Sequence, residues 1–278
     1  MTSPRRRIGL LAAALVAAFT LTASPGATSP SAAPVDSGRH GPAAPKPTIV
    51  LVHGAFADSS GWNDVAGRLI RDGYPVVAFS NPLRGPTSDA AYLRDFLTTI
   101  SGPVVLVGHS YGGAVITNAA TGNPNVRSLV YVAAYAPAEG ESVAAANALG
   151  GGHTEVTDHL VLRPFPGAAG GDQDAYIDPA EFPRLFAQDL PRREADVMAA
   201  TQRPGALAAL LTPSGAPAWE TIPSWYLVAN QDRIIPPEAE RVMAARAGST
   251  VVQINSSHVA MMSHPDIVVK LIRDAAKG

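Results

Sequence analysis

The chain contains no cysteine. That absence excludes disulfides, thiolate metal sites and a cysteine nucleophile together. Charge is scarce as well: charged side chains make up 16% of the 278 residues, and the formal net charge is -2. Without a basic excess there is no electrostatic footprint for nucleic acid, and no nucleic-acid partner is expected. No cluster of metal-ligand spacing and no phosphate-cradling glycine loop is present, so neither a metal nor a cofactor is implied. Internal repeats are missing too. The apolar run Ile8 to Leu21 is too short to span a membrane comfortably.

That run follows Arg5-Arg6-Arg7. A basic n-region ahead of a short apolar h-region reads as a secretion signal over 1–27, cleaved near Ala23 or Ala27. An uncleaved membrane anchor is the alternative. Pro, Ala, Ser and Gly then dominate as far as Pro47, so 28–47 cannot build a core and reads as a disordered linker. The expectation is an exported chain whose mature form makes no stable membrane insertion.

Hydrophobic residues are plentiful at 46%. From Thr48 they suit one sizeable globular domain. Thr48 to Val52 is an uninterrupted apolar strand of the kind found in a parallel sheet covered on both faces. Trp62, Val65, Leu69 and Ile70 then recur at helical spacing until Gly73. Pro75 to Phe79 is a second strand, and Ser88 to Ile100 a second helix. A third strand from Val104 is followed by a helix, and Val126 to Ala134 is a fourth strand. This alternation predicts a doubly wound, mostly parallel α/β sheet.

The rhythm stops between Pro137 and Pro223. Asp178-Pro179-Ala180-Glu181 reads as a capped helix start, and Arg192 to Gln202 as a second helix. Residues 137–222 are therefore expected to form a mostly helical cap. Ser224 to Ala229 and Thr250 to Ile254 complete six strands, with helices at Pro237 to Ala247 and Pro265 to Ala276. The body is then 48–136 plus 223–278.

Chemistry concentrates where strands end. Val104-Val105-Leu106-Val107 runs into Gly108-His109-Ser110-Tyr111-Gly112, and a helical pattern follows at once. Gly-x-Ser-x-Gly alone is a weak pattern in a chain with 25 glycines. Set between a strand and a helix it becomes a nucleophile elbow, which holds a serine in strained backbone with its hydroxyl clear of the sheet. Asp232 follows the fifth strand and His258 the sixth. Open parallel sheets place their sites at this edge. A serine hydroxyl needs a base to take its proton, the task assigned to His258. Asp232 would hold the imidazole tautomer and stabilise the imidazolium. Glu238 is the alternative acid. Among the other histidines, His40 lies in the linker, His153 and His159 in the cap, and His264 at a helix start. His109 is inside the elbow, with its ring expected to point away from the nucleophile.

A tetrahedral intermediate needs two donors. One is the backbone N–H of Tyr111, and the other comes from His53-Gly54-Ala55-Phe56 after the first strand. Ala55 is the first choice there and Phe56 the alternative.

The segments Val50 to Ala55, Val107 to Gly113, Asp232 to Pro236 and His258 to Pro265 resemble the α/β-hydrolase superfamily. They are most similar to its branch of plant methyl-ester esterases and hydroxynitrile lyases. The resemblance implies serine-ester chemistry on a small-molecule ester. The lyases of that branch carry a lysine soon after the catalytic histidine to meet departing cyanide, and a hydroxyl-bearing residue in the oxyanion loop. Here Val259 and Ala55 stand in those places, and the nearest downstream lysine is Lys270. The residues Val259 to Met262 are expected to lay an apolar floor beside His258. Ester hydrolysis through an acyl-enzyme is the expectation. A cyanohydrin lyase or cofactor-free perhydrolase on the same residues, and a binding protein on a hydrolase scaffold, are the alternatives.

Overall fold

The computed structural model describes residues 45–278. The secretion signal over 1–27 and the linker as far as residue 44 lie outside the described residues. Chain order gives β1 (Thr48–Val52), α1 (Asn63–Arg71), β2 (Val76–Phe79), α2 (Pro86–Leu97), β3 (Val104–Ser110), α3 (Tyr111–Ala119) and β4 (Val126–Ala134). In the cap come α4 (Val143–Ala146), β5 (Leu160–Pro164), β6 (Gln173–Ile177), α5 (Phe182–Phe186), α6 (Arg192–Thr201), β7 (Gly205–Ala206) and α7 (Leu207–Leu211). The chain closes with β8 (Ser224–Ala229), α8 (Pro237–Arg246), β9 (Thr250–Ile254), α9 (Ala260–Ser263) and α10 (Pro265–Ala275).

The main sheet has the order β2-β1-β3-β4-β8-β9 with every pairing parallel. Residues Ile49 to Val52 and all of β3 are buried, because helices cover both faces. Helix α10 turns Val268, Val269, Leu271 and Ile272 inward. A fully buried side chain of this size contributes about 1.5–3 kcal/mol, so these faces rather than helix propensity hold the layers together. The winding reverses between β1 and β3, which sit side by side while β2 lies beyond one and β4 beyond the other. Ligands of open α/β sheets bind at such a switch point, outside the carboxyl ends of the strands. The loop 53–57 and Ser110 follow those two strands.

The cap differs from the expected helical insert. Besides short helices it holds a three-stranded antiparallel sheet, β5-β6-β7. In β6 Ala175 and Ile177 are buried and their neighbours are not, but five residues of alternation are too few to stand out beside a glycine-rich loop. Asp178 caps a turn ahead of the helix rather than the helix itself. Its side chain accepts from Ala180 N at 2.9 Å and its carbonyl from Phe182 N, so α5 begins later. Among the described residues no helix is long and apolar enough to cross a membrane.

Candidate active site

Ser110 ends β3 with φ 53° and ψ -128°, a left-handed backbone that side chains other than glycine seldom adopt. Such a residue costs on the order of 1–3 kcal/mol and persists only when its surroundings enforce it. The enforcement is visible. The strand register shifts between His109 and Ser110, and the Ser110 carbonyl is held by the Tyr135 N–H at 3.1 Å. A Cβ on Gly108 would stand 2.7 Å from Gly112 O and from Gly113 Cα. Strand and helix can meet this closely only without that carbon.

Asp232 and His258 are brought together. His258 Nδ1 lies 2.6 Å from Asp232 Oδ2, and both side chains are fully buried. Asp232 Oδ1 accepts from the N–H groups of Ile234 (2.7 Å) and Ile235 (3.0 Å), which fixes the carboxylate after β8. A carboxylate only accepts, so Nδ1 carries the imidazole proton and Nε2 presents a lone pair. That Nε2 is buried without a hydrogen-bond partner among the described residues, and the Ser110 hydroxyl is not bonded to it. An orphaned buried acceptor of this kind calls for an explanation.

Glu238, the alternative acid, is exposed on α8 and 3.8 Å from Arg241. Two other carboxyls are buried, Asp89 and Glu240, and the one that acts on Asp232 is Glu240. It accepts from Ala229 N at 3.1 Å, and burial and then Asp232 hold its pKa well above the usual carboxylate range. His109 turns its ring onto His258, with centroids 4.6 Å apart, and its Nε2 donates to the His258 carbonyl at 2.9 Å. Burial, then His258, keep its pKa well below the ordinary histidine value. His109 therefore braces the backbone of the other histidine as a neutral group.

The loop after β1 is locked by His53. Asn81 N–H donates to its Nε2 at 3.0 Å, so Nδ1 carries the proton and donates to Gly54 O at 3.0 Å. Because a trans peptide points its C=O and N–H oppositely, holding Gly54 O also aims the Ala55 N–H. The Phe56 N–H is occupied by Arg203 O at 2.8 Å. Of the two residues open in the sequence, Ala55 keeps the available donor. Tyr111 N–H belongs to the first turn of α3, where helix geometry supplies no partner. The Tyr111 hydroxyl donates to Asp89 Oδ2 at 2.8 Å, and that carboxylate also takes the N–H of Arg84 at 3.0 Å. Asp89 thus ties the β2–α2 loop to the residue after Ser110.

Three cap residues reach the loops that carry the dyad. Asp189 Oδ2 accepts from Ser257 N at 2.8 Å and from the Ser256 hydroxyl at 3.2 Å. Gln188 Nε2 donates to Gln231 O at 2.6 Å, and the Phe186 ring stands edge-on to His258 at 4.9 Å. No motif marks these residues in the sequence.

Ser110, Tyr111, Ala55 and Phe56 open into a cavity walled by Val143, Ala144, Val156, Leu160, Leu210 and Ile234. Tyr135, Asn147 and Thr157 supply its other polar atoms, and no charged side chain lines it. The apolar floor expected from Val259 to Met262 is not part of this cavity. Val259 is buried in the core, while Met261 and Met262 line a second cavity that Phe56 also borders. Among the described residues no group of three or more His, Asp or Glu side chains is placed to hold a metal ion.

Residues 49–271 match the model of the alpha/beta hydrolase family. The chain belongs to that family. This α/β-hydrolase is 27% identical over 252 residues to the alpha/beta hydrolase nvfD of Aspergillus novofumigatus (strain IBT 16806), covering 83% of this chain and 97% of that one. It is 25% identical over 259 residues to Methylesterase 17 of Arabidopsis thaliana, covering 84% and 93%. That likeness agrees with the resemblance to plant methyl-ester esterases drawn from the motifs. The crystal structure of polyneuridine aldehyde esterase shares the fold, with a TM-score of 0.71 at 20% identity over 82% of this chain and 98% of that one.

Proposed function

We propose that this α/β-hydrolase cleaves small to medium neutral carboxylic esters through an acyl-enzyme on Ser110. The observation that carries the reading is the orphaned His258 Nε2, backed by Asp232 on Nδ1, together with a serine held in strained backbone at the mouth of an apolar cavity. His258 Nε2 takes the Ser110 proton as Oγ bonds to the ester carbonyl carbon. The carbonyl oxygen becomes an oxyanion held by the N–H groups of Ala55 and Tyr111. Collapse breaks the ester C–O bond, and the leaving alkoxide takes the proton from Nε2. Water then repeats the sequence on the acyl-enzyme and returns the serine. In this reading the Ser110 hydroxyl, unbonded to His258 Nε2 in the free chain, makes that hydrogen bond when substrate arrives.

The named esterases among the relatives support ester hydrolysis. Lys270 supports it over cyanohydrin cleavage: it lies on α10 and is paired with Asp274 at 2.6 Å, away from His258. Export rests on Arg5-Arg6-Arg7 and the apolar run behind them. N-terminal sequencing of protein from the culture medium checks it.

A fluorophosphonate probe should label Ser110 and nothing else. Ser110→Ala should lose labelling and about 10⁴-fold or more in kcat on p-nitrophenyl acetate, the remainder coming from the oxyanion donors and binding. Labelling or turnover that persists in Ser110→Ala would refute the assignment.

A further inference from the structure

In the cavity that Ser110 opens into, one buried amide has a nitrogen with nothing to bond. Asn147 follows α4 and is 9% exposed. Its Oδ1 accepts from the Tyr135 hydroxyl at 2.9 Å. Among the described residues its Nδ2 makes no hydrogen bond, and the residue lines the cavity. Turning the amide over would set Nδ2 against the phenol oxygen and strand the phenol proton among apolar groups. Burial keeps that phenol protonated, with its pKa raised far above the ordinary tyrosine value. The orientation with Oδ1 on the phenol satisfies both groups and commits the Nδ2 hydrogens to whatever fills the cavity.

We propose that Asn147 reads an uncharged hydrogen-bond acceptor, a keto or ether oxygen, on the acyl part of the ester. The inference rests on the esterase reading above. The acyl part is assigned to this cavity because it stays bound to Ser110, which lines it, after the alcohol has left. A purely hydrocarbon acyl chain would desolvate the amide and return nothing, and a site built around a polar partner discriminates strongly against a ligand lacking one. A carboxylate is excluded because no cation lines the cavity, and a buried anion needs a paired charge. Tyr135 acts here as a positioning residue, through Asn147.

The test compares p-nitrophenyl 4-oxopentanoate and 5-oxohexanoate with the pentanoate and hexanoate, each corrected for spontaneous hydrolysis. At least one oxo ester should exceed its hydrocarbon counterpart by about tenfold in kcat/KM. The ratio should fall towards one in Asn147→Leu, which keeps the shape and removes the donor. It should also fall in Tyr135→Phe, which frees the amide to turn. Each ratio is taken within one preparation, so a smaller folded fraction cancels. Hydrocarbon esters turned over as fast as both oxo esters by the unaltered chain, or a ratio undiminished in both variants, overturns the role of Asn147 and leaves the esterase reading standing. No ester turned over above the Ser110→Ala level overturns that reading and this inference with it.

Discussion

At Ser110 the strain is enforced from two sides, by the shift in strand register and by glycines with no room for a side chain. Gly54 is the sharpest case. A Cβ there would stand 2.5 Å from Ser110 Cβ and 3.0 Å from Ser110 Oγ. Neither neighbour is the far end of a flexible chain, so backbone must move. Gly54→Ala should lower kcat by about 100-fold, since an ångström of misplacement at a reacting group costs that much. Overpacking of this kind should also remove roughly 1–3 kcal/mol of stability. Thermal melts and kcat on a p-nitrophenyl ester check both, and values within twofold and 1 °C of the parent would show that the contact relaxes freely. The glycine is visible in the sequence as part of His53-Gly54-Ala55. The reason it must be glycine is not, because Ser110 reaches it only after β1 and β3 pair.

Among the elements, the cap carries more of the site than its weak sequence pattern implied. The turn between α5 and α6 hooks the histidine loop through Asp189 and the acid loop through Gln188. Asp189 has a lowered pKa although burial raises it, because the hydrogen bonds from Ser257, Ser263 and Ser256 outweigh that cost. In Asp189→Ala the Ser257 N–H loses its acceptor, a loss of about 1–3 kcal/mol. For a domain of this size that is roughly 2–4 °C in Tm per kcal/mol. Loosening the loop should lower kcat about tenfold at little change in KM, and Asp189→Asn, which keeps an acceptor, should restore most of it. Equal kcat in the parent and both variants would show that the cap does not position the histidine loop. The main sheet was legible strand by strand, since mostly apolar runs between glycine and proline breaks are strong signals. In the cap the runs are shorter and half-exposed, so its sheet stayed hidden.

The whole molecule responds to pH through groups buried in the wrong protonation state for water. His53 and His109 have lowered pKa values, chiefly through burial, so the native chain binds fewer protons than the unfolded one below about 6.5. Their contribution to stability is complete above that value and is lost as pH falls. Glu240 runs the other way. Its raised pKa means the native chain keeps a proton that the unfolded chain gives up above about 4.3, so stability is lost as pH rises. Glu240→Gln carries no ionisable group and keeps an acceptor for Ala229 N. Its Tm relative to the parent should climb between pH 5 and pH 8, and a constant difference across that range would mean that Glu240 is ionised in the folded chain.

What the sequence by itself determined is the order of strands and helices in the body outside the cap, the elbow, and the choice of Ser110, Asp232 and His258 as candidates. These follow from local patterns: apolar periodicity, glycine spacing, and a polar residue just past the end of a strand. What only the tertiary structure decided is which groups those residues meet. It separated Ala55 from Phe56 by committing one N–H to Arg203, set Glu238 outside and Glu240 inside, and brought Asp89, Asp189 and Asn147 to the site from distant segments. The physical reason is that a polar side chain takes its character from desolvation and from its partner. Both are set when strands far apart in the chain pair and the cap closes over their ends.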